Sequence, residues 1–436
     1  MFDINKKSRE YKFLFVPGVI IASISCVTFL LSGVYDQEID DFFKDGIDYI
    51  PVKIFTVFME EFGTYSLLCL LFLFLGVIWE TLYFYQINYS KKNFVKNNKW
   101  LVYIYYLISL CIWIITIYTS IVEGFKKDFG FGPGNDPYSL ADLNYRVYAL
   151  IVIKILELGV MLAGFIFLRF KLSKRKDILT NEYWMDSLKG ISYIAFMYMV
   201  VGAGKTFFGR PYPYSVNFDE ILRKTEEKGW TYTPETGYFG TGIDGRENAT
   251  YFPWWKPNDF FGNIKYWFDF NAHQKDNNGW WNRDFPSGHT TSVCGMTSIM
   301  FYFIGPNKKR NLKWYKIFYI YMIIGFLLPT MQMSLILQRT HWASDLEFSN
   351  IIALSFIPLA NYFVNRHVRY WKNKWNAKHF EKFSGFIKEQ KNGFKVYVNT
   401  TYGYIVICKF YYGKNKQAKI EKIINKYNIN IEKSIN

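Results

Sequence analysis

Apolar residues in this chain come in blocks of roughly 18 to 25, the length that crosses the hydrocarbon core of a bilayer. Such runs cover residues 12–34, 64–85, 99–122, 146–170, 187–204, 289–304, 313–333 and 346–364. One run could be a buried helix of a soluble protein, but eight in one chain cannot share a water-exposed fold. The expected fold class is therefore an all-α integral membrane protein, a helical bundle of about eight spans. No small-residue cleavage site follows the first run, so residues 12–34 read as a retained anchor.

Loop charge gives an orientation. The segments Lys6-Lys7-Ser8-Arg9, Lys91-Lys92-Asn93, Lys171-Leu172-Ser173-Lys174-Arg175-Lys176 and Lys308-Lys309-Arg310 fall on one side of an eight-span count, together with both termini. That side is expected to be cytoplasmic, with the Trp-rich loop 206–285 extracytoplasmic. Indole rings favour the membrane interface, so this loop reads as a folded cap. A shorter loop carries Phe129-Gly130-Phe131-Gly132-Pro133-Gly134, a turn region with no Gly-Lys-Ser/Thr after it.

The net charge is +16, and residues 365–436 hold 16 Lys plus Arg against 4 Glu, a net +12. A basic segment directly after a span points to a membrane surface, with anionic lipid as its partner, rather than to nucleic acid. Codon bias toward Lys, Asn and Ile explains it equally well. Phe394–Val398 and Tyr404–Cys408 flank Asn399–Gly403 as a hairpin would, and a basic helix is expected from about Lys416 to Tyr427, giving a small α/β tail module. The five cysteines are scattered, which leaves neither a disulfide framework nor a zinc site.

Chemistry concentrates in two short polar motifs at the ends of predicted spans. One is Phe285-Pro286-Ser287-Gly288-His289-Thr290-Thr291-Ser292, and the other is His341-Trp342-Ala343-Ser344-Asp345. His341 and Asp345 stand four apart, so one helical turn can bring them together and Asp345 can fix the tautomer of the imidazole. Ser287-Gly288-His289 opens a span, and the free N–H groups of a first helical turn attract an anion. Lys205 closes an earlier run and can add a cation. Lys154 and Glu157, inside one span, read as a structural ion pair, although intramembrane charges can also mark an ion path.

Together these segments, spread over residues 187–364, resemble the active site of the type 2 phosphatidic acid phosphatase superfamily. The resemblance implies a six-helix phosphatase-like core and a metal-independent reaction without cofactors. It implies His341 as nucleophile, Asp345 as its carboxylate and His289 as the acid for the leaving group. Ser287 and Gly288 would bind phosphate with Lys205. Two positions depart from the pattern: Tyr212-Pro213 stands where the first motif has Arg-Pro, and Leu335 follows Ser334 where the third has arginine. Arg210 and Arg339 are the nearby substitutes, with Arg283 a third. The expected substrate is a lipid phosphomonoester or diphosphate, hydrolysed at the outer membrane face. A phosphotransferase using the same intermediate and a non-catalytic scaffold are the rivals, with a transporter weaker still.

Overall fold

The computed structural model describes residues 11–89, 94–126, 143–175, 178, 182–227, 229, 241, 246–262, 264, 283–303, 314–368, 383–390, 393–400, 403–411, 416–427 and 429–431. Two compact units emerge: the described residues up to 303 together with 314–358, and those from 359 onward. The glycine run at 129–134 and Trp230, Trp267, Trp280 and Trp281 lie outside the described residues.

Helices dominate the first unit: α1 (Val16–Phe43), α2 (Ile50–Tyr89), the single turn α3 (Phe94–Asn97), α4 (Leu101–Lys126), α5 (Leu143–Phe167) and α6 (Tyr183–Phe208). After them come α7 (Pro213–Val216), α8 (Phe218–Glu227), α9 (Gly288–Met296), α10 (Trp314–Met322), α11 (Leu328–Leu337) and α12 (Ala343–Phe363), whose last five residues fall to the second unit. A π-turn over Ile323–Leu327 fuses α10 and α11 into one rod. Seven stretches among the described residues are long and apolar enough to cross a membrane: Lys12–Asp48, Ile50–Asn88, Leu101–Val122, Val147–Leu172, Tyr183–Lys224, Trp314–Leu337 and Ala343–Val368. The protein is a multi-pass membrane protein, and its surface agrees: Ile20, Ile24, Leu30 and Leu31 on α1 and Leu107, Ile108 and Ile115 on α4 are exposed.

The expected span at 289–304 differs. Nine residues of α9 pass into six of tighter 3₁₀ helix, Thr297–Tyr302. The larger rise of a 3₁₀ turn stretches this short segment to about 25 Å, close to the ~30 Å of a hydrocarbon core although it has fewer residues than a regular span.

Helix α2 is the hub, packing against α5, α6, α9 and α11. Its Cys69, Phe72 and Val77 join Trp113 of α4 and Met161 and Phe165 of α5 in one buried cluster. Ion pairs hold charges within the bundle. Lys154 Nζ lies 3.0 Å from Glu157 Oε2, the pair expected from the sequence, and Arg169 meets the fully buried Glu80 at 2.9 Å.

Two chain breaks aim the site. At Tyr35 (φ −112°, ψ 23°) α1 leaves helical geometry just before Asp36. Gly209 ends α6 in the left-handed region (φ +53°), its N–H donating to Lys205 O at 3.2 Å; a residue with a Cβ would be strained there, which suits glycine as the stop before Arg210. Of the expected cap, Trp254 packs on Phe29 of α1 with ring centroids 4.5 Å apart.

In the second unit, β1 (Phe383–Gln390), β2 (Gly393–Thr400), β3 (Gly403–Tyr411), α13 (Lys416–Tyr427) and β4 (Ile429–Ile431) build a sheet of order β3-β2-β1-β4. The hairpin over 394–408 and the basic helix are present. Strands β1 and β4, which pair in parallel, were not expected.

Candidate active site

His341 and Asp345 lie at the start of α12, Ser287, Gly288 and His289 at the start of α9, and Lys205 in the last turn of α6. The His289 and His341 rings face each other with centroids 6.1 Å apart and planes at 67°. Ser287 caps α9, its Oγ accepting from Thr290 N at 3.3 Å, and Ser349 Oγ ties the carbonyls of Ser287 (3.1 Å) and Asp345 (2.9 Å) together. Nothing would meet a Cβ added at Gly288, so space is open beside its Cα.

Thr64 Oγ1 lies 3.2 Å from His289 Nε2 and 3.0 Å from Glu60 O, so its one hydroxyl proton goes to the ring or to the carbonyl according to the tautomer of His289. Gly63 next to it lets the ring come close, since an added Cβ would sit 2.9 Å from His289 Cδ2.

His341 is buried, and burial pushes its pKa down to about 4 against the pull of nearby carboxylates. At neutral pH the imidazole is therefore uncharged. Two carboxylates stand at its Nδ1. Asp284 Oδ1 touches it directly, while Asp345 Oδ2 is 3.9 Å away. Burial, followed by the charge of Asp345, keeps the Asp284 carboxyl well above the usual carboxylate range.

Lys205 Nζ donates to the carbonyls of Arg283 (2.8 Å) and Asp284 (2.9 Å) and to Tyr212 Oη (3.4 Å). All three partners are uncharged oxygens. Tyr212, at the expected arginine position, sets its ring 5.6 Å from that of His341. Leu335, at the other, is fully buried in the core.

The two substitute arginines turn elsewhere. Arg210 bridges Asp345 Oδ1 and Asp36 Oδ2, each at 2.7 Å, bonds Ser344 Oγ at 2.8 Å and lies over Trp342. Arg339 grips Asp40 at 2.6 Å and Glu220 at 3.3 Å, its backbone in the left-handed region (φ +56°). Asp36 and Asp40 come from α1, one helical turn apart. Asp36 also accepts from Ser344 N at 3.0 Å and Ser344 Oγ at 2.5 Å. Arg283 Nη1 reaches Thr206 Oγ1 at 3.2 Å.

Asp284, His341 and Asp345 place ligand atoms within 4.8 Å of one another, the size of a metal site. Arg210 already supplies a cation to Asp345, while Asp284 Oδ1 and His341 Nδ1, in contact with each other, have no other hydrogen-bond partner among the described residues.

Residues 188–369 match the family model of the PAP2 superfamily. This segment belongs to the PAP2 superfamily. The family supports a phosphatase-type enzyme acting on phosphate esters, and every motif residue above from Lys205 to Asp345 falls within the PAP2 segment. The chain is also 26% identical over 383 residues to an uncharacterized protein of Mycoplasma capricolum subsp. capricolum, spanning 82% of this chain and 94% of that one. No solved structure matches.

Sequence reasoning missed Asp36, Asp40, Thr64 and Asp284. The first three lie outside the PAP2 segment. Their only signals were the four-residue spacing of the two acids and the position of Asp284 immediately before the Phe-Pro-Ser-Gly-His motif.

Proposed function

We propose that the protein hydrolyses a phosphomonoester or diphosphate carried on a lipid, through a phosphohistidine formed on His341. The observation that carries this reading is the pair of imidazoles, edge to face with centroids 6.1 Å apart, beside the N-terminus of α9. His341 Nε2 attacks phosphorus, the bond to the leaving oxygen breaks, and His289, entering the step as the imidazolium, donates a ring proton to that oxygen and becomes neutral. Water then attacks phosphorus, giving its proton to His289, and the P–N bond to His341 breaks to release phosphate. The α9 amides and Lys205 stabilise the phosphoryl oxygens. A pKa of about 4 keeps His341 nucleophilic at neutral pH.

A lipid substrate is supported by the position of these groups at the ends of apolar helices α6 and α12, where a chain can stay in the bilayer. An outer-face site with both termini cytoplasmic follows the loop charges, with residues 288–302 counted as the eighth crossing. A second reading, a membrane scaffold with a degenerate site, draws on one observation: both substitute arginines are held by acids of α1.

Purified protein in detergent decides between them by phosphate release from phosphatidic acid, phosphatidylglycerol phosphate, undecaprenyl diphosphate and a water-soluble phosphoester. Release that survives EDTA, is blocked by vanadate and vanishes in His341→Ala is expected. An inert wild type selects the scaffold, and transfer to added alcohols in place of water identifies a phosphotransferase.

A further inference from the structure

The carboxylate nearest the nucleophilic imidazole is not the one that the His-x-x-x-Asp spacing singles out. Asp345 Oδ2 lies 3.9 Å from His341 Nδ1, beyond hydrogen-bond reach. Both its oxygens have other work: Oδ1 accepts from Arg210 Nη1 at 2.7 Å and Oδ2 from Trp342 N at 3.1 Å. Asp284 Oδ1 touches Nδ1 directly, and the residue is fully buried. Its placement is fixed from three directions. Asp284 N donates to Arg210 O at 2.7 Å, Lys205 holds its carbonyl at 2.9 Å, and Trp342 N reaches Oδ2 at 3.4 Å.

We propose that Asp284 is the positioning residue that accepts the Nδ1–H of His341, with Asp345 acting on the ring only through Asp284. An imidazole that attacks through Nε2 must carry its proton on Nδ1, so the group accepting that proton selects the reactive tautomer. Two carboxylates in one buried space cannot both stay ionised at little cost. Arg210 compensates Asp345, which leaves Asp284 as the member that holds a proton. A neutral Asp284 still offers its Oδ1 lone pair to Nδ1–H. The result is a chain from His341 through Asp284 and Asp345 to Arg210, one member longer than the motif implies.

The inference rests on His341 being the nucleophile only for its kinetic consequences, so the test has an arm that needs no turnover. With five histidines in the chain, ¹⁵N-histidine labelling of the full protein in detergent is tractable, and His341→Ala assigns the signal. A downfield Nδ1–H resonance is expected in the wild type, retained in Asp345→Ala and lost in Asp284→Ala. Asp284→Asn keeps a neutral acceptor and should restore the resonance. In the kinetic arm, Asp284→Ala should lower kcat about 100-fold with KM changed less than about twofold, the cost of a misoriented group, and Asp284→Asn should recover most of it. Retention of the resonance in Asp284→Ala, or its equal loss in both alanine variants, overturns the proposal. If Asp284→Ala fails to fold, Asp345→Ala decides alone: loss of the resonance there defeats the inference. A wild type that shows the resonance but turns over no phosphoester defeats the phosphatase reading and leaves Asp284 in place.

Discussion

Burial of His341 couples its chemistry to stability. Its ordinary pKa of 6.5 falls to about 4 in the folded protein, so between these values the unfolded chain binds a proton that the folded one refuses. Stability is therefore intact above pH 6.5 and is lost as pH falls toward 4, by about 3 kcal/mol at the acid end. Asp284, raised rather than lowered, contributes with the opposite sign. Thermal unfolding in detergent at pH 7.5 and pH 5 should show a larger acid loss for the wild type than for His341→Asn; equal losses would mean that His341 is solvated. At this scale the sequence was most readable. His289, His341 and Lys205 could be picked out because each sits in a local pattern. Asp284 was missed because a fixed four-residue spacing pointed to Asp345, and only the folded loop shows which carboxylate reaches the ring.

Helix α1 was read as an anchor over 12–34, and its apolar residues allowed nothing more. The continuation to Phe43 carries Asp36 and Asp40 into the bundle, where each neutralises an arginine from a distant segment. Hydrophobic periodicity cannot reveal this, since it records which face meets lipid and not which cation waits at the helix end. Asp36→Ala leaves Arg210 paired with Asp345 but takes away its second carboxylate and the acceptor of Ser344 N and Oγ, a loss of about 1 to 3 kcal/mol. Asp36→Ala should lower the thermal transition accordingly, whereas Glu38→Ala, exposed on the same helix, should stay within about 0.5 kcal/mol. Equal transitions for both variants would show that Arg210 is satisfied without α1. In the tail, β2, β3 and α13 were legible from alternation and helical spacing. The three-residue β4 was not, because its strand character comes from pairing with β1.

For the whole molecule, the apolar runs made the membrane class plain, and seven of the eight expected spans have a long apolar helix. The eighth, expected at 289–304, has no helix of that length, since nine α-helical residues there pass into six of 3₁₀ helix. Orientation depends on that count and can be measured. In a cysteine-free background, Lys256→Cys should react with an impermeant thiol reagent on intact cells and Lys174→Cys should not, both positions being exposed. The reverse pattern would move the site to the cytoplasmic face. The pairing of α1 with the PAP2 segment also bears on inheritance. Asp36 with Arg210, and Asp40 with Arg339, are matched across 174 and 299 positions of sequence. In any lineage descending from this chain, a lasting change at 210 or 339 should therefore be accompanied by a compensating change at 36 or 40, so that the first helix and the phosphatase-like core evolve as one unit.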